Sequence, residues 1–425
     1  TTGAVTVSGA IGTNVGTLTI TNSGGTTFGS TVGATTVTLT DTTGTITFTG
    51  ALTATTLNTN SAGYNLALNA TTGTITNAVT FSNTGTLTLG ASGGTLSFAG
   101  GLTATAPSAR TISGTISSTN GAMSFGAITL GAATTLNTNA TTNVADLTIG
   151  AVTGATNNLT LTTGGIAGAE ISGTSVAGVG TLTITNSGGT TFSGAVSATT
   201  VTLTNTTGTI AFNGALTATT LNTASAGYNL ALNATTGTIT NAVTFSNTGT
   251  LTLGASGGAL SFGAALTATA PSAITLAGTI NTDSAAVLIG ATAVTTTLAA
   301  STVINTYANA GAGAAITIHG PIRGTTAGVE APTLKSKGSA ITLSGVIGSS
   351  TRIGTLTLGD ASQTGTITVN GTIVAQALVV GANSGSNAFA ISLNNIASAV
   401  GATTITTTAT FYNTGTIRLG DFATD

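Results

Sequence analysis

The chain has 425 residues, of which 3% are charged, with a net charge of −2, no Cys and no Trp. An ordinary soluble domain is about a quarter charged, so the usual solubility devices are missing, as are a disulfide framework and a thiolate metal site. The near-zero net charge and the absence of a basic patch exclude nucleic acid as a partner, while a 40% hydrophobic content excludes a disordered chain.

Taken from the start, the chain reads as short strands separated by turns. TLTIT at Thr17 is followed by TVTLT at Thr36, NLALN at Asn65 and TLTLG at Thr86. In each run Thr, or Asn and Ala in NLALN, alternates with Leu, Ile or Val, the period-two pattern of a strand with one buried face. The pieces between them, such as NSGG, TTG and ASGG, carry the residues that tolerate turn backbones. No segment shows helical periodicity, and no apolar run approaches the roughly 18 residues of a spanning helix.

A long duplication governs the organisation. Residues 16–109 align with 180–273 without a gap, and 82 of the 94 positions are identical. The repeat as a whole covers 8–171 and 172–318. A charged stretch containing Pro321 and Pro332 covers 319–352, and a decayed third copy covers 353–425, where GTLTL returns at Gly354 and GTIT at Gly365. Within each copy a shorter period is visible: Phe28 and Phe48 are 20 residues apart, as are Phe192 and Phe212. Units of about 20 residues, each with two or three strands and no helix, predict one continuous, elongated parallel β-solenoid over residues 1–425. In such a stack Phe lies over Phe, and Asn or Thr forms ladders of identical side chains.

These coils, the TLTL and GTIT strands, the Asn- and Gly-rich turns and the lack of Cys resemble the filamentous-haemagglutinin-type exoproteins of bacteria, which leave the cell by two-partner or autotransporter routes. The resemblance is one of texture over the whole chain. It implies an all-β, right-handed parallel β-helix, secreted to the bacterial cell surface or extracellular matrix and used as an adhesin or filament component. It carries over no catalytic residue.

The reading from the residues agrees: a stiff, non-enzymatic structural protein with no cofactor and no metal. Its expected partners are copies of itself, stacked end to end or laterally, and glycans or a host or neighbouring cell surface. The ionisable residues concentrate in one place, His319, Arg323, Glu330, Lys335, Lys337, Arg352 and Asp360, within a tenth of the chain. There the Thr–Leu alternation lapses, so this stretch is the candidate contact patch. As a catalytic residue His319 lacks a second His and a carboxylate pair. Asp41, Asp146, Glu170 and Asp283 are scattered singly, unlike the clustered carboxylates of β-helix enzymes that process polysaccharides, and Asn205 replaces Asp41 in the second copy.

Other readings start from the same texture. Thr-x-Thr arrays are the pattern of ice-binding solenoids, though here Thr decorates nearly every run rather than one face. Asn-x-Ser/Thr triplets at Asn69, Asn139, Asn158, Asn205, Asn233 and Asn370 would accept glycans. An outer-membrane barrel would need aromatic girdles and strands of about ten residues. Finally, GAVTVSGAIG at Gly3 and TFYNTGTIRLG at Thr410 both read as mid-pattern coil. The expectation is a window of a longer fibrous chain, or end-to-end stacking in which each copy caps the next.

Overall fold

A computed structural model describes residues 3–40, 42–142, 144–309, 311–384, 387–395, 397–398 and 401–420. Among the described residues there is no helix, and the strands pair in parallel with their equivalents one coil away, so the fold is a β-solenoid. One short antiparallel pair, Ala397–Ser398 with Gly401–Ala402, stands apart. The chain divides into two compact units, residues 1–210 and 211–425.

In the first unit three ladders run along the stack, and alternation decides which side chains face inward. The first ladder carries the column Val7–Phe28–Phe48–Leu68–Leu89–Ile112–Leu130, whose members follow one another at 18 to 23 residues. Phe28 and Phe48 stack with centroids 4.7 Å apart and planes 12° apart. The second ladder carries Val32–Leu52–Gly73–Leu96–Ile116–Leu136–Leu161–Ile184–Leu203. The third carries Leu102–Met123–Leu147–Ile171. These side chains are buried from Phe28 and Val32 onward, and each large one gives about 1.5–3 kcal/mol of transfer free energy. Burial on this scale, repeated in every coil, replaces the charges and disulfides that the sequence lacks. Gly173 matters to it, because a Cβ there would run into the Phe192 ring.

The second unit keeps the parallel stacking with longer coils. Its cleanest column is Val243–Leu266–Val287–Ile316–Ile341–Ile367–Ile391–Ile417, with steps of 21 to 29 residues. The added residues sit in turns, and the strands keep their register around them. Pro332, which cannot donate to a ladder, is still in register with Thr302, and the Thr302 amide takes the Ala331 carbonyl instead.

Both units also bury hydroxyls and amides at one corner of the coil. Ser118, Thr138, Thr163 and Ser187 are at most 1% exposed in the first unit, and Thr282, Thr306, Ser336 and Gln363 likewise in the second. Each serves the turn that follows it. Thr138 Oγ1 donates to the Ala145 carbonyl at 2.7 Å, Thr163 Oγ1 to that of Ala169 at 2.6 Å, and Ser336 Oγ to that of Ser339 at 2.6 Å. Turn carbonyls that the strand ladders cannot reach are thereby paired, as buried backbone groups must be.

Candidate contact surface

The charged stretch resolves into separate features rather than one patch. Three of its members gather around Tyr307, on turns of successive coils. The Tyr307 hydroxyl donates to Asp360 Oδ2, the Ser362 amide donates to Asp360 Oδ1 at 2.9 Å, and Lys335 Nζ lies 4.0 Å from Oδ2. Lys337, held in the left-handed backbone region at φ 53°, places its ammonium 5.8 Å from the Tyr307 ring centroid and donates to the Gly311 carbonyl at 2.7 Å. Burial, then the hydrogen bond and charge of Asp360, push the Tyr307 hydroxyl well above its usual range. The group is therefore a neutral phenol donating to a carboxylate, flanked by two ammonium groups. The Lys335–Asp360 pair is partly solvated and contributes about 0–1 kcal/mol, so the cluster binds turns together more than it stores energy.

Glu330 is not a surface residue: it is 4% exposed. Burial opposes its ionisation, but the Thr325 hydroxyl at 2.5 Å and the Thr326 amide at 3.0 Å from both oxygens outweigh that, holding its carboxyl below the ordinary value. Gly324 leaves the space the carboxylate occupies. Arg352 braces the same loop, its carbonyl accepting from the Gly328 amide at 2.8 Å while Nη1 reaches Thr406 Oγ1 at 3.3 Å. Arg323 Nε donates to Thr297 Oγ1 at 3.1 Å on the neighbouring coil. His319 is half-buried, its amide donating to the Ile289 carbonyl at 3.0 Å. Thus Lys335, Lys337 and Asp360 come together, Glu330 and Arg352 support a loop, and Arg323 joins two coils.

Of the scattered carboxylates, Asp146 accepts from the Glu170 amide at 2.9 Å through Oδ1. Asp41 lies outside the described residues. No group of three or more His, Cys, Asp or Glu with metal-binding geometry occurs among the described residues, and no helix long and apolar enough to cross a membrane occurs among them.

Two features escaped the sequence reading. Tyr307 is brought to Asp360, 53 residues on, only by the stacking of coils. Arg110, at an inward position beside Leu87, is 7% exposed. Its guanidinium donates to the carbonyls of Ala104, Thr105 and Ala127, and Gly126 leaves it room. Burial lowers its pKa. The residue 164 positions on is Ile274, fully buried beside Leu251.

Comparison of the chain with family models, with curated proteins and with solved structures finds no match.

Proposed function

We propose that the chain is a non-enzymatic structural protein of a bacterial cell surface or extracellular filament, an adhesin-like element whose mechanical part is the coil stack itself. The observation that carries this reading is the continuity of the core columns: in the second unit Val243, Leu266, Val287, Ile316, Ile341, Ile367 and Ile391 are all buried and stand in register through seven successive strands of one ladder. A stack held this way repeats one contact along its length, and contacts repeated head to tail between copies give open fibres.

Sedimentation velocity of the 425-residue chain over a hundredfold range of concentration tests this. Growth into larger species with concentration is the expected result. A single monomeric species at every concentration overturns the reading. The Tyr307–Lys335–Lys337–Asp360 cluster is the proposed place for a specific outside contact, glycans among its candidates. A glycan array on the wild type and on Lys335→Ala/Lys337→Ala measures it.

A further inference from the structure

Hydroxyl columns occur on all three ladders of the first unit. Two columns stand side by side over three strands as Thr17–Thr36–Thr56 with Thr19–Thr38–Asn58, and over a longer run on the second ladder. On the second ladder, Thr72, Thr95, Thr115, Thr135, Thr160, Thr183 and Thr202 stand in register, Thr on Thr, through seven coils. Two residues along each strand, Thr74, Ser97, Ser117, Asn137, Thr162 and Thr185 form a second column of hydrogen-bonding side chains, of which Thr162 is buried. The third ladder has a single column, Thr80–Thr103–Ser124–Thr148–Ser172–Thr191, whose flank carries Asp146 and Glu170. The first ladder's column is broken by Ala67, and its flank mixes Thr45, Asn65, Thr86 and Ala109.

The two-column face is a lattice. Its rows repeat at the strand spacing of about 4.8 Å and its columns stand about 6.7 Å apart, twice the rise per residue. β-Branched Thr has little χ1 freedom to lose, so the hydroxyls are held in place before anything binds. The face carries neither charge nor aromatic side chain. Protein partners are anchored by Trp, Tyr and Arg, and base or sugar rings stack on aromatic platforms, so neither kind of partner has an anchor here. A surface of weak, identical, evenly spaced contacts instead suits a partner that is itself periodic, because each added contact follows at high effective concentration. Hydrogen-bonded water supplies such a repeat. With O–H···O distances of about 2.75 Å and tetrahedral angles, next-nearest oxygens in a water lattice lie about 4.5 Å apart. That is within about 0.3 Å of the row spacing.

We propose that the second-ladder face of the first unit binds ice, with the Thr72–Thr202 column and the Thr74, Ser97, Ser117 and Asn137 part of the second column as the contacting lattice. This does not depend on the structural role proposed above. The test is inhibition of ice recrystallisation, together with partition into a growing ice front, by the whole chain. Thr135→Lys/Thr160→Lys puts two charges at the centre of the lattice, and Thr135→Leu/Thr160→Leu disrupts it without charge. Thr148→Lys places a charge on the single-column ladder as a control. Wild type and control should act alike, and both double variants should need at least tenfold more protein, with unchanged β-type circular dichroism. Absence of ice activity in the folded wild type overturns the proposal. Equal loss in Thr148→Lys also overturns it, as does retention on crystalline cellulose without partition into ice.

Discussion

Arg110 and Ile274 occupy equivalent positions in the two copies, one a cation capped by three carbonyls and the other a plain core residue. A buried charge without a counter-ion loses its hydration, and well-packed apolar replacements of buried ionic groups are often neutral or stabilising by about 1–4 kcal/mol. Arg110→Ile should therefore leave the urea midpoint unchanged or raise it, whereas Arg110→Ala, which also opens a cavity, should lower it. Tyr64 and Tyr228, both fully buried, give a pH signature. Burial lifts each hydroxyl from 10.0 to about 12, against the smaller opposing effect of hydrogen bonding with Thr59 and Thr223. A pKa raised by folding leaves stability intact below the unfolded value of 10.0. It is then lost as pH rises toward 12, because only the unfolded chain ionises in that window. Alkaline unfolding between those values, delayed by Tyr64→Phe/Tyr228→Phe, is the expected result in a pH titration followed by circular dichroism.

At the scale of the coil, strands were legible in the sequence and corners were not. The Thr–Leu alternation identifies TLTL and its relatives as strands because inward and outward residues differ in polarity at period two. At a corner the same residue type serves both roles, so the sequence does not distinguish outward Thr135 from buried Thr138 three residues later. Thr306 shows the consequence. Its hydroxyl donates to the Ala314 carbonyl at 2.7 Å and accepts from the Ala314 amide at 3.0 Å, closing an inserted turn. Thr306→Val keeps the shape but strands both groups, which should cost about 1–3 kcal/mol, read as a lower denaturation midpoint. The charged stretch was likewise half legible. Its density marked where the coils lengthen, while its division into a Tyr307 cluster and the internal Glu330 loop depends on which turns stack, a long-range fact.

At the scale of the whole chain, the duplication and the coil period were readable because stacking makes each coil reuse the environment of the last. The residues that differ between copies mark where that environment differs. Residues 1–210 contain four of the fourteen charged residues and 211–425 the other ten, and the Lys335–Asp360 ion pair lies in the second part and is partly solvated. Stability carried by apolar columns and backbone ladders should not respond to screening. The urea midpoint should move little between about 0.05 and 1 M NaCl, although the Debye length falls severalfold over that range. Every part of the account, core columns, corner hydroxyls and the Thr lattice alike, rests on coils stacked in one register. Disulfide trapping tests this directly, since the chain has no Cys of its own. Thr115 and Thr135 are register partners, and Thr160 lies one coil further on. Neighbouring strands about 4.8 Å apart are within the Cα separation of a disulfide, while twice that distance is not. Thr115→Cys with Thr135→Cys should therefore oxidise to a crosslink in the folded chain, and Thr115→Cys with Thr160→Cys should not. A crosslink in the second pair, or none in the first, would contradict the stacked register and what is built on it.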